Sequence, residues 1–136
     1  MTYDLIKKIR TVLLNDATIS SHVGTNIAVT EMPYARVAKQ ITLRKSDGKS
    51  NSIVTIVNPT IFITVWIKQK DTTEPYKTCR EICDKIIDLL NRKGETLNES
   101  DLKINQIIKT DCSLRYDESE EYWVGVLVFD AYTNEG

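Results

Sequence analysis

A two-layer α+β fold, with helices packed on one face of a mostly antiparallel sheet, follows from three features of this 136-residue sequence. Two runs, Ile61-Phe62-Ile63-Thr64-Val65-Trp66-Ile67 and Tyr122-Trp123-Val124-Gly125-Val126-Leu127-Val128-Phe129, are almost continuously apolar. Strand side chains point to opposite faces with period two, so strands that hardly alternate ask for cover on both faces. Helical segments near the start and the middle of the chain each carry one apolar stripe, and such helices lie together on one face of a sheet. The elements run helix, strands, long hairpin, helix, two strands. With no internal repeat and no linker, they make a single domain over 1–136.

The first helix, 3–14, is read from Leu5, Ile6, Ile9, Val12 and Leu13, which recur at spacings of three and four. Thr2 or Tyr3 precedes it, and Asp4 sits in the first turn, where the positive end of a helix favours an anion. Asp16 can cap a second short turn, Ala17 to Val23, which Gly24 ends. Ile27 to Thr30 is a short strand closed by Met32-Pro33. A strand at 36–44 has Val37, Ile41 and Leu43 in one parity, with Lys39 interrupting it.

Lys45 to Ser52 is eight residues without one apolar side chain. Asp47-Gly48 is a turn signal there, and the segment reads as the mobile, polar tip of a long hairpin. The chain returns as strand over 53–68. Asn58-Pro59 marks a break, bulge or edge position within it, because proline has no N–H to give a ladder. The second main helix has Thr73 as its cap, Pro75 in its first turn and Gly94 just past its end. Its buried stripe is Cys79, Ile82, Cys83, Ile86, Leu89 and Leu90. Its outer face carries Lys77–Glu81, Arg80–Asp84 and Glu81–Lys85 at helical ion-pair spacing, a solvated surface. After a polar loop, 102–115 and 121–132 form a strand pair joined by the acidic connection Tyr116-Asp117-Glu118-Ser119-Glu120-Glu121.

Composition excludes several classes. A hydrophobic fraction of 41% with 27% charged residues is that of a globular chain. A net charge of −1 gives no basic field for nucleic acid or anionic membrane. Lys7, Lys8 and Arg10 interrupt the opening apolar residues, and no run approaches the roughly 18 apolar residues of a membrane span. A soluble, unprocessed chain made in a cytoplasm is expected, and Asn98-Glu99-Ser100 reads as a chance sequon.

The sequence supplies little for chemistry. Cys79 and Cys83 share one helix face, but with only Cys112 and His22 to complete a zinc set they read as small core side chains. Gly48-Lys49-Ser50 lacks the glycine, strand and helix of a phosphate loop. Clustered oxygens in the acidic connection could hold a cation, although a solvated turn explains them as well. His22 fits a capping or packing role. No catalytic site, metal or cofactor is expected.

The arrangement resembles the tail terminator and tail-completion (head–tail joining) proteins of long-tailed bacteriophages. The matching features are Ile9-Arg10-Thr11-Val12-Leu13-Leu14-Asn15-Asp16 followed by His22-Val23-Gly24-Thr25-Asn26-Ile27, the strand Thr60 to Trp66, and the helix Cys79 to Leu90. Arg115-Tyr116-Asp117 and Trp123 to Phe129 complete the set. The likeness covers nearly the whole chain as element order and loose pattern, and the stretch from Met32 to Arg44 departs from it.

The resemblance implies a non-enzymatic virion protein forming a ring, commonly a hexamer, at the head-proximal end of the tail. Such a ring stops tube polymerisation and joins tail to head. Its partners would be further copies of itself, the major tail tube protein and a head-completion or connector protein. Viral DNA would pass through without sequence-specific contact, and no membrane would be involved. Assembly would take place in the host cytoplasm. On this reading the two-sided strands supply a subunit interface of Phe62, Val65, Trp66, Trp123, Val126 and Val128. The polar loops, Lys45, Asp47 and Lys49 on one side and Asp117, Glu118, Glu120 and Glu121 on the other, would dock partners. An unrelated small homo-oligomeric binding module using the same sheet is the alternative.

Overall fold

The computed structural model describes the backbone of residues 2–30, 32–50, 56–97 and 103–134; the side chains of 2–4, 47–50, 56–58, 103, 105, 133 and 134 lie outside the description. Helix α1 (Thr2–Leu14) is followed by α2 (Ala17–Val23), β1 (Ile27–Val29), β2 (Lys39–Ser50) and β3 (Ile56–Lys68). Then come α3 (Pro75–Leu90), a 3-10 turn (Gly94–Leu97), β4 (Lys103–Asp117) and β5 (Tyr122–Asn134). The strands form one sheet in the order β1-β2-β3-β5-β4, in which the β1–β2 pairing is parallel and the others are antiparallel. This is the α+β architecture expected from the pattern of elements.

The core lies between the helices and one face of the sheet. Leu5, Ile6, Ile9 and Leu13 of α1, Ile19 and Val23 of α2, and Cys79, Ile82, Cys83, Ile86 and Leu90 of α3 are all buried. They meet Ile41 and Leu43 of β2, Ile61, Ile63, Val65 and Ile67 of β3, and Leu127, Phe129 and Ala131 of β5. Each such aliphatic side chain stabilises the fold by about 1.5–3 kcal/mol relative to exposure. At the junction of α1 and α2, Asp16 Oδ2 accepts the Ile19 N–H at 3.0 Å, and Gly24 (φ 60°) ends α2 in a conformation that costs glycine little.

Helix α3 crosses β5 at a close approach. A Cβ on Gly125 would lie 2.4 Å from Cys83 Sγ and 3.2 Å from Cys79 Sγ. The two thiols occupy the space that a side chain at 125 would take, which is the packing role the sequence suggested for them. The hydrogen bond to Cys79, followed by burial, holds the Cys83 pKa far above that of a free thiol, so it stays protonated and unreactive.

Several local expectations are corrected. Strand β2 starts at Lys39 rather than 36, because 34–37 forms a turn held by the Gln40 side chain. Asp47-Gly48 makes no hairpin turn: the ladder runs from Ser46↔Thr60 to Lys49↔Asn58 and on to Ser50↔Val57. Residues 47 and 48 therefore bulge opposite Pro59, whose missing N–H breaks the ladder there. Of the expected tip, 45–50 is strand and Asn51-Ser52 lies outside the described residues.

At α3 the N-cap position is Glu74, not Thr73, with Pro75 opening the helix. Asn91 caps the other end, and Gly94 instead starts the 3-10 turn, where its Cα lies against Gln106. On the outer face of α3 only Arg80–Asp84 pairs as its spacing suggested, at 3.9 Å. Glu81 reaches His22 at 3.3 Å and Lys85 reaches Asp16 at 3.7 Å, both on or beside α2, while Lys77 meets Glu74 at 3.7 Å. Charges that sequence spacing assigned to one helix thus tie two helices together.

Candidate functional site

The face of the sheet turned away from the helices is built by the other parity of the same strands. Phe62, Thr64 and Trp66 of β3 stand opposite Val128, Val126 and Val124 of β5, and β2 adds Gln40, Thr42 and Arg44. Phe62, Trp66, Val126 and Val128 are half-buried with no helix above them. Polar edges of these groups are used locally. Trp66 Nε1–H donates to Thr42 Oγ1 at 2.9 Å, the Trp66 and Tyr122 rings meet edge-on at 5.7 Å, and the Arg44 guanidinium lies 4.2 Å from the Phe62 ring centre.

Two of the six residues predicted for this interface belong elsewhere. Val65 shares parity with Ile61, Ile63 and Ile67 and is fully buried beneath the helices. Trp123 also points to the helix side, where it touches Tyr76 of α3 at 5.1 Å and Tyr116 of β4 at 5.3 Å. Its indole N–H donates to Gln69 Oε1 at 2.6 Å. Phe62, Trp66, Val126 and Val128 do come together on one surface.

One end of the open face is covered by the chain itself. The Gln40 side chain, 2% exposed, accepts the Tyr34 N–H at 2.8 Å and donates to the carbonyls of Tyr34 at 2.9 Å and Val37 at 3.2 Å. Lys68 Nζ donates to the Ala35 carbonyl. Both side chains have the parity of the open face, so 34–37 is tied down over it. This is the stretch that departs from the phage pattern, and Gln40, an amide between Lys39 and Ile41, gave no sequence signal of its role.

The predicted docking loops lie at opposite ends of the strands. Lys45 sits opposite Ile61 in the ladder, Asp47 lies in the bulge and Lys49 follows it, the side chains of the last two outside the description. At the other end β4 and β5 are joined by a tight turn. Asp117 Oδ1 accepts from Ser119 Oγ at 2.7 Å, the Ser119 N–H at 3.0 Å and the Glu120 N–H at 3.3 Å. The Ser119 hydroxyl, then the Glu120 N–H, hold the Asp117 carboxyl below its usual pKa. Glu121 is left-handed at φ 58°. Glu118, Glu120 and Glu121 are all exposed, and Glu120 and Glu121 line a hollow of about 240 Å³ with Lys68, Lys70 and Asp71.

The arrangement offers surface rather than chemistry. A groove of about 660 Å³ runs along the charged outer side of α3 between Thr18, Arg80 and Asp88. Among the described residues no three His, Cys, Asp or Glu side chains gather to hold a metal ion, and no helix is long and apolar enough to cross a membrane.

A sheet with helices on one face and an apolar opposite face defines a class of small α+β domain. No protein-family model matches the chain, and no curated protein matches it. Among solved structures, a chain of the virion of a native gene transfer agent particle is similar. It superposes with a TM-score of 0.75 over 94% of this chain and 92% of that one, at 18% sequence identity, a likeness of fold.

Proposed function

We propose that this chain is a structural protein of a phage-like virion. In the fuller form of that reading, it is the ring subunit at the head-proximal end of the tail that ends tube growth and joins tail to head. The observation that carries it is the near end-to-end likeness of fold to a chain of a virion particle. The open face of the sheet supports it. Half-buried Phe62, Trp66, Val126 and Val128 form an apolar surface on strands that already have neighbours on both sides, so their contacts must be made by side chains rather than by added strands. The role is non-enzymatic, the partners are other virion proteins, namely further copies of this chain, the tail tube protein and a head-side connector, and the location is the virion.

In a ring, one patch of each subunit meets a different patch of the next, and the ring closes when the rotation is right. Apolar side chains on a central surface give such contacts their strength, while charged loops at either end steer partners. The test is genetic and visual. Particles assembled without this chain should show unjoined heads and tails of irregular length by negative-stain microscopy, and the wild-type gene should restore both. Joined particles with tails of normal length in its absence would refute the proposal. Phe62→Asp with Val128→Asp should leave the subunit folded yet fail to complement.

A further inference from the structure

Large exposed apolar side chains are not scattered over this molecule. Of the six among the described residues, Val29, Met32 and Tyr34 lie at the β1–β2 flank, Tyr76 and Tyr116 at the β4 flank, and Tyr132 alone lies apart on β5. Met32 is 70% and Tyr34 60% exposed, although the backbone at Tyr34 is held by two hydrogen bonds to buried Gln40, which makes a third to Val37. An aromatic side chain presented on a fixed backbone loses little freedom when a partner covers it. The two flanks also differ in charge. Arg36 and Lys39 beside Tyr34 have no ion-pair partner among the described residues, and neither has Glu118 beside Tyr116 and Asp117.

The register sets both flanks at one level. Lys39 pairs with Ile67, Ile67 with Trp123 and Trp123 with Tyr116, a single row across the sheet. The adjoining row runs from Gln40, which holds Tyr34, through Trp66 and Val124 to Arg115. A rotation about an axis along the strands, without a shift along it, therefore carries one flank onto the other. The sheet leaves β1 and β4 as its two edges, and such a rotation sets the β1–β2 flank of one copy beside the β4–β5 flank of the next.

We propose that the lateral neighbour of this chain is a second copy, docked head to tail: the loop of Met32, Tyr34, Arg36 and Lys39 seats against Tyr76, Tyr116 and the acidic turn at Glu118. This rests on the ring reading above and names the contact that β3 and β5, interior to the sheet, cannot make. The loop lies over the open face, and Tyr76 and Tyr116 lie on the helix side, so this contact sets the margin of one copy's open face over the helix side of the next.

Two double variants test it, Arg36→Glu with Lys39→Glu and Glu118→Lys with Glu120→Lys, followed by sedimentation, and by microscopy with and without isolated tail tubes. Circular dichroism melts establish that each variant is folded. Each alone should associate at least about tenfold more weakly, with the deficit shrinking in high salt. Mixed in equal amounts they should recover, in even-numbered rings. One variant carries two acidic flanks and the other two basic ones, so only alternation matches unlike charge. Tyr34→Ser should also weaken association by about tenfold or more, as for an aromatic anchor. Variants that assemble like the wild type, or folded variants that do not recover on mixing, would overturn the inference while wild-type rings kept the ring reading intact. A wild-type chain that forms no ring, free or on tubes, would overturn both.

Discussion

The two faces of this sheet are made by the same strands from nearly the same residue types, yet they are covered differently. Under the helices, Ile61, Ile63, Val65, Leu127 and Phe129 are fully buried and close-packed. One residue along, Phe62, Trp66, Val126 and Val128 are half-buried, held by a hydrogen bond from an indole, an edge-on ring contact and a guanidinium over a ring. The first face holds the subunit together. The second is ordered without a covering element, so any partner proposed for it would need little further immobilisation to cover it. Apolar content alone does not distinguish a core from an interface; what distinguishes them is whether the chain has an element left to cover the face.

Substitutions on the two faces should separate these tasks. Phe129→Ala should cost about 3–5 kcal/mol in urea unfolding, as for a fully buried phenylalanine, whereas Phe62→Ala should cost much less and impair assembly instead. Equal losses at the two sites would erase the distinction. Gly125→Ala sharpens the covered side. Its new methyl meets Cys83 Sγ, so an overpacking cost of about 1–3 kcal/mol is expected. Adding Cys83→Ala should recover much of that cost, and a double-mutant cycle showing no coupling would reject this account of the close approach.

On the open side, Gln40→Ala removes a buried amide that satisfies three backbone groups of the 34–37 turn. A loss of about 1–3 kcal/mol is expected, together with faster amide exchange at Tyr34. If protection there were unchanged, the amide would not be what holds the turn. The smallest effect is at the acidic turn. Because Asp117 is held below its ordinary pKa of 3.8, its contribution to stability is complete above that value and fades as pH falls toward the lower folded value. Asp117→Asn should therefore lower stability slightly at neutral pH, make no difference once the Asp117 carboxyl is protonated, and so flatten the acid limb of stability below about pH 4. An unchanged acid limb would mean that its hydrogen bonds do not persist in solution.

Much of this was legible in the chain itself. The helices, the Asp16 cap with Gly24, the bulge or break at Pro59 and the pairing of the last two strands follow from local periodicity and turn chemistry, which act over a few residues. The candidate surface was legible in part, since Phe62, Trp66, Val126 and Val128 belong together. Val65 and Trp123 were misplaced because a run apolar at every position carries no mark of parity. The ion pairs of α3 were misassigned for a related reason: four-residue spacing permits a contact within the helix, and Asp16 and His22 outcompeted it once α2 lay alongside.

What the sequence determined by itself is the type and order of elements and the need for cover on two sides, since hydrophobic period is a property of neighbours along the chain. The tertiary structure alone decided which parity became core, which carboxylate met which cation, and that Gln40 would tie down a turn over the open face. Those outcomes depend on which surfaces distant segments bring together: the single stripes of α1 and α3 could bury only one face, and the face they chose left the other without a helix over it.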